Sequence, residues 1–451
     1  MNRWRGHGLR WAPVLTVATF VLPIAAGLIG TLLPAFGEMP AIGSTGWSLA
    51  PWRDLRGQPG FETALRLTLV SGWLAALMSV VVAIGLAAFA FTRPWGRRLG
   101  AFIAPVLAAP HSAIAIGLAF LITPSGWLVR MVSPHLTGWA VPPDVSTVGN
   151  ASGAALVAGL LLKEVPYLVL MTLGAMNQVA ASSHMAAARA LGYGPVQAWL
   201  KVLLPQIYPQ IQLPIYAVLA FSLSVVDVAM ILGPGNPPTL AVVAVRAFAD
   251  PDVHMILPAA AAAVLLLALV VASIAVWHVL ERIVGYAGRR WLERGQRQGL
   301  VAGVAIGAAG LGIGLFAGTV LVLAALLLWS FARTWRYPDA LPSVWTLGNW
   351  SRQFGDVLQP AANTLIVGAC STLIAAVLTV ACLENETRRD GAAGLASQRV
   401  RARILWVLYL PLLVPQVAFL FGLQVLLVRA RLDATLFAVV WSHLIFVVPY
   451  L

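Results

Sequence analysis

Long apolar runs, several of them 20 residues or more, separated by short polar or basic segments, constrain this chain more than any other feature. A helix needs about 20 apolar residues to cross ~30 Å of hydrocarbon, and in lipid every backbone polar group must be paired internally. Strand-length alternating segments that would close a membrane barrel are absent. The expected fold is therefore all-α, a polytopic membrane bundle. Composition agrees: 60% of the 451 residues are hydrophobic, 10% are charged and the mean hydropathy is +0.86, a balance no soluble surface accommodates. Ten spans are expected, at 11–34, 62–91, 101–123, 151–176, 211–233, 255–280, 300–329, 361–383, 404–428 and from Ala434 onward. The first is too long, and too poor in a small-residue cleavage site, for a signal peptide.

The net charge of +13 comes from basic residues spread between spans, so it describes topology and not a nucleic-acid face. With the N-terminus cytoplasmic, that side collects Arg3, Arg5, Arg10, Arg93, Arg97, Arg98, Arg189 and Lys201. It also takes Arg282, Arg289, Arg290, Arg294, Arg297, Arg388, Arg389, Arg399, Arg401 and Arg403. The balance is eighteen against nine, in the direction of the positive-inside rule. Cys370 and Cys382 share one span without metal-type spacing and are expected to pack.

Three short patterns recur in the same order. Thr68-Leu69-x-x-Gly72 returns as Thr364-Leu365-x-x-Gly368. Pro110 with Gly117-Leu118 returns as Pro415 with Gly422-Leu423, and Pro166-Tyr167-Leu168 returns as Pro449-Tyr450-Leu451. Together they suggest an internal duplication, with both copies running the same way across the membrane. The expected organisation is a first module at 1–281, a charged cytoplasmic linker at 282–299, and a second module at 300–451 that stops at the equivalent of Leu168.

One segment cannot be a lipid-facing helix. "MAAARALGYGPVQAWLKVLLPQIYPQ", Met185 to Gln210, carries Arg189, Lys201, two glycines and three prolines. Ala186 to Leu191 are good helix formers, Gly192 suits a left-handed stop, and Pro195 suits the first turn of a second short helix to Leu203 that Pro205 ends. The expectation is a helix, a turn and a helix at the cytoplasmic surface. Ala186, Ala187 and Ala188 would admit a partner closely, and Trp199, Val202 and Leu203 would anchor the segment to the bundle. Physics alone leaves two readings open, an ordinary amphipathic inter-span loop or a docking segment.

The pattern Ala186-Ala187-Ala188, Gly192, Val202, Leu204-Pro205 resembles the EAA loop of ABC importer permeases. Pro166-Tyr167 in the preceding span, Asp227 in the following one and "GPGNPPTL" at Gly233–Leu240 extend the likeness. Two such modules in one chain look like the fused permeases of iron(III) and thiamine type importers. The match is specific over roughly 62–280 and diffuse from 361 onward. The usual glutamate of the motif is Ala186 here. The resemblance implies a short coupling helix docking on a cytoplasmic ATPase, two such ATPase subunits, a periplasmic solute-binding protein that delivers substrate, and a bacterial inner-membrane location.

Charges at membrane depth are costly and face the bundle interior or an aqueous cavity. Lys163 and Glu164, adjacent in sequence, point about 100° apart and reach different partners. With Pro166, Tyr167 and Asp227 they either line a translocation path or, for the charged pair, form polar glue between spans. Asp227 has a further alternative, a local hydrogen bond near Gly233. His111 and His278 are expected to be satisfied interhelical residues, since neither has a second ligand at helical spacing. No phosphate-binding Gly-x-x-x-x-Gly-Lys-Ser/Thr, no His-Glu-x-x-His and no Gly-x-Ser-x-Gly elbow is present. The chain is thus expected to be a transport subunit without catalytic residues, metal or cofactor, coupled to an ATPase on another chain. An ion-coupled secondary transporter is the alternative, although its repeats need no cytoplasmic docking helix.

Overall fold

The computed structural model describes residues 8–297, 299–390 and 406–450. Arg3, Arg5, Arg399, Arg401, Arg403 and Leu451 lie outside them, and the side chains of Arg97 and Arg389 are likewise not described.

In chain order the helices are α1 (Ala12–Ala35), α2 (Ala50–Gly57), α3 (Phe61–Phe91), α4 (Leu99–Ala108), α5 (His111–Ile122) and α6 (Trp127–Val132). There follow α7 (Ala154–Met176), α8 (Ala181–Ala190), α9 (Pro195–Ala198), α10 (Leu204–Ser224), α11 (Asp227–Leu232) and α12 (Leu240–Phe248). The last group is α13 (Ile256–Glu293), α14 (Leu300–Phe331), α15 (Gly348–Asp390), α16 (Trp406–Leu413), α17 (Gln416–Arg429) and α18 (Leu436–Val447). Strands β1 (Ala332–Thr334) and β2 (Val344–Trp345) pair antiparallel as a small hairpin. The all-α polytopic bundle is what the apolar runs require.

Seven helical stretches are long and apolar enough to cross a membrane: Ala12–Ala35, Phe61–Phe91, His111–Val132, Ala154–Met176, Val253–Glu293, Leu300–Phe331 and Gly348–Arg388. An eighth is formed if α16 and α17, bent by 90° at their junction, count as one span. Ten uninterrupted spans are therefore not found among the described residues. The expected span at 101–123 is broken at Pro110, which takes an extended ψ of 148° between α4 and α5. Proline has no N–H to donate and pushes the residue before it out of the helical region, and Ala109 accordingly has ψ 134°. Pro415 breaks α16 from α17 in the same way, with ψ 129°. The expected span at 211–233 is divided between α10 and α11, where Val225 turns extended at ψ 135°.

By packing, the chain divides into two compact units. One contains residues 1–58, 243–270 and 351–451. Its described core is built by α1 against α17 and α18, around Phe20, Ile24, Phe419, Leu444 and Ile445. A Cβ at Gly422 would run into the Gly27 carbonyl, so α1 and α17 touch backbone to backbone. The Trp441 indole donates to the Thr19 carbonyl at 3.0 Å across the same group of helices.

The other unit contains residues 59–242 and 271–350, with α3 at its centre against α7, α10 and α14. Gly72 of α3 lies where a Cβ would be 2.5 Å from Leu223 Cδ2 of α10. The Thr68 hydroxyl accepts the Leu240 N–H at 2.8 Å, fixing the start of α12 against α3.

Candidate functional site

The segment after α7 is built from its glycines outward. Gly192 has φ +85°, a region that L side chains disfavour. Its N–H donates to the Arg189 carbonyl at 2.9 Å and the Tyr193 N–H to the Ala188 carbonyl at 3.2 Å. These two bonds cap the last carbonyls of α8 in a Schellman arrangement. Gly194 then takes an extended conformation and Pro195 opens α9 at its first position, where its missing N–H costs nothing.

Pro205 does not end the second helix. From Trp199 to Leu203 the chain widens into a π-turn, Leu204 N–H donates to the Trp199 carbonyl, and the helix runs on as α10 to Ser224. A proline in an α-helix clashes with the carbonyl four residues back, here that of Lys201. The wider turn removes the clash, so α9 and α10 are one continuous helical rod. The role of the three alanines also differs from expectation. Ala186 and Ala187 are exposed, but Ala188 is buried with Ala181 and Met185 on the inward face of α8. The spacing of these three at i, i+4 and i+7 selects that face. Trp199 and Leu203 are fully buried, Val202 and Leu204 half-buried, and Leu191 is 63% exposed at the tip.

Lys201, counted with the surface cations, is in fact buried at the base of this segment. Its ammonium donates to the Trp291 carbonyl at 3.1 Å and lies 4.7 Å from the Trp291 ring and 5.6 Å from the Tyr193 ring. The Gly194 N–H donates to the Arg297 carbonyl at 3.2 Å, and the Gln197 amide to the Gln296 carbonyl at 3.4 Å.

A second tie joins α10 to α13 one turn further on. Tyr208 donates to Glu281 Oε1 at 2.6 Å, while Gln212 and Tyr216 donate to Oε2 at 2.6 and 2.7 Å. His278 Nδ1 lies 3.0 Å from the Tyr216 hydroxyl, so this histidine is partnered as expected. Three donors on one carboxylate hold the two helices in one register, each bond to a charged acceptor contributing about 1.5–3 kcal/mol. In the sequence this cluster shows only as Tyr208, Gln212 and Tyr216 at i, i+4 and i+8 and His278 and Glu281 at i and i+3, two polar stripes whose pairing appears once α10 and α13 pack.

The charged pair in α7 meets the break at Pro110 from two sides. Lys163 Nζ donates to the carbonyls of Val106, Leu107 and Ala109 at 3.3, 3.0 and 2.7 Å. These are carbonyls that the interrupted helix leaves without an N–H partner. Glu164 Oε1 lies 3.8 Å from His111 Nε2, just beyond the proline, and the His111 ring packs 4.8 Å from that of Phe221. Both Lys163 and Glu164 are buried. Pro166 lines an apolar cleft of about 310 Å³ with Leu86, Phe102, Ile103, Val165 and Phe316, whose side chains offer nothing to hold an ion or polar solute. Tyr167 is half-buried, and Asp227 is exposed at the first position of α11, where the helix dipole favours a carboxylate. The structure thus brings Lys163, Glu164 and His111 together and leaves Asp227 apart.

The described residues form a multi-pass helical bundle with a surface helix pair tied into its spans, and comparison with known proteins gives its likeness. The chain is similar to a transmembrane permease subunit of an ABC transporter. It is 29% identical over 443 residues to the inner membrane ABC transporter permease protein YnjC of Escherichia coli (strain K12), an alignment covering 98% of this chain and 74% of that protein. No family model matches the chain.

Proposed function

We propose that this permease serves a binding-protein-dependent importer and that Ala186, Ala187, Gly192 and their neighbours up to Leu204-Pro205 form its docking loop for a cytoplasmic ATPase subunit. The observation that carries the proposal is the loop itself. Its outer face is small and exposed at Ala186, Ala187 and Leu191, its inner face is anchored by Trp199 and Leu203, and the π-turn makes its second helix, α9, one rod with α10, while a capped turn at Gly192 ties α8 to that rod. A push on such an element is delivered to a span without a flexible joint between them. Partnership with ATPase subunits follows from the likeness to an ABC transporter permease. Two subunits, a periplasmic binding protein, a fused two-module organisation (1–281 and 300–451 about a linker at 282–299) and a substrate of the iron(III) or thiamine kind are the finer reading. The excess of arginine in the loops supports a cytoplasmic N-terminus.

In this reading ATP binding closes the ATPase pair, the loop moves with it, and the bundle changes between outward- and inward-open states. The three carbonyls around Lys163 support a structural role for the Lys163–Glu164 pair, holding the broken span, while Tyr167 and Asp227 remain the candidates for a path.

The test is Gly192→Val. A β-branched residue at φ +85° disfavours the turn, so the variant is expected to insert and fold normally in membranes yet lose copurification of its cognate ATPase subunit. Wild-type recovery of that subunit would overturn the docking assignment.

A further inference from the structure

The loop does not stand alone on its surface. Its residues Gly194, Gln197 and Lys201 donate to the main-chain carbonyls of Arg297, Gln296 and Trp291, all three from the segment that follows α13 or from its last turns. The aliphatic part of Arg297 lies against Gly192, 3.4 Å from where a Cβ would be. The tip of the loop and the segment 294–297 are therefore two walls of one surface. Arg189 stands on the first wall, Arg294 and Arg297 on the second, and exposed Leu191 lies at the tip of the first. Among the described residues no carboxylate lies within ion-pair distance of any of these three arginines.

Resting on the docking assignment above, we propose that residues 294–297 are part of the ATPase-docking surface, and that Arg189, Arg294 and Arg297 receive carboxylates on the rim of the ATPase around an apolar contact at Leu191. Three arginines without an ion-pair partner among the described residues, on two walls joined at Gly192 and Gly194, with exposed Leu191 beside Gly192, suit an apolar contact with an acidic rim. The charges sit on an element that the loop holds by main-chain bonds, so their placement relative to Gly192 is fixed by the fold. Binding the loop would then read the segment between the spans at the same time, and a motion of the ATPase would act on α10 and on the end of α13 together.

The main-chain character of those bonds makes the test clean, because changing the Arg294 and Arg297 side chains leaves the carbonyls in place. In the double variant Arg294→Glu/Arg297→Glu, recovery of the cognate ATPase subunit in pull-down from detergent is expected to fall about tenfold or more, since like charges now face one another. Arg294→Lys/Arg297→Lys should restore most of it, and wild-type recovery should decline with added salt. Arg294→Gln/Arg297→Gln serves if the reversed pair fails to give a monodisperse protein, with a smaller expected loss. Unchanged recovery in the charge variants, with loss in Gly192→Val, overturns this proposal and leaves the docking loop standing. Unchanged recovery in all of them overturns both. Wild-type ATPase recovery together with a lost requirement for phosphatidylglycerol in reconstituted vesicles would make the surface a lipid contact, which also overturns the proposal.

Discussion

Helices α3 and α15 carry the same Thr-Leu-x-x-Gly run, at Thr68–Gly72 and Thr364–Gly368, and the two runs live in opposite surroundings. Thr68 is 1% exposed and accepts a hydrogen bond from Leu240, and Gly72 lets α10 approach until Leu223 fills the place of its side chain. Thr364 and Gly368 are exposed, Thr364 donates to its own helix at the Pro360 carbonyl, and among the described residues nothing lies within 4 Å of a Cβ at Gly368. Leu365, between them, is 73% exposed. A helical glycine lowers stability unless a neighbour uses the space it leaves. The comparison teaches that the same short pattern can recur in the chain while the partner that arrives at it decides what it contributes.

The comparison is broken most directly at the glycines. Gly72→Val should cost about 3 kcal/mol, because the new methyls meet Leu223 and its backbone in a packed core. Gly368→Val should stay within about 0.5 kcal/mol. Thermal midpoints of the detergent-solubilised variants read both, and equal losses would mean that the two helices are packed alike.

A smaller contrast comes from the two proline breaks. Lys163→Met removes the donor of three carbonyls below Pro110 and should cost about 2 kcal/mol. In the register of the repeated Pro-Tyr-Leu pattern, Phe446 stands where Lys163 does, three residues before the proline; it packs on the apolar cluster around Phe419. Phe446→Met should therefore cost under about 1.5 kcal/mol. A Lys163→Met protein as stable as wild type would show that the carbonyls at the break find other donors.

The finest contrast lies at the threonines. Thr68→Val leaves the Leu240 N–H without its acceptor and should cost about 1 kcal/mol, whereas Thr364→Val should be neutral. Hydrogen exchange at the start of α12 is the sensitive probe, with faster exchange expected only in the first variant.

The Schellman stop at Gly192 and the helix start at Pro195 were legible in the sequence, because glycine and proline act through their own backbone and need no neighbour to do so. The end assigned to Pro205 was not, since the remedy for its clash, a π-turn, depends on how Trp199 and Leu203 seat in the bundle. Ala188 pointed inward for a similar reason: three consecutive alanines are alike in sequence, and only the helix face that meets the core separates them.

What the sequence determined by itself was the material of the fold. Apolar runs of crossing length admit no backbone but a helix in lipid, whereas the sequence did not say which prolines break one: Pro110 and Pro415 do, while Pro166 and Pro214 lie inside α7 and α10. What tertiary structure alone decided was which polar groups serve each other. Lys163 finds the carbonyls of α4, Lys201 the end of α13, and Glu281 the stripe of Tyr208, Gln212 and Tyr216, over separations of 54 to 90 residues. A buried charge must be paired, but the chemistry of a lysine or a glutamate does not say by whom. That is fixed by which helices the apolar faces bring side by side.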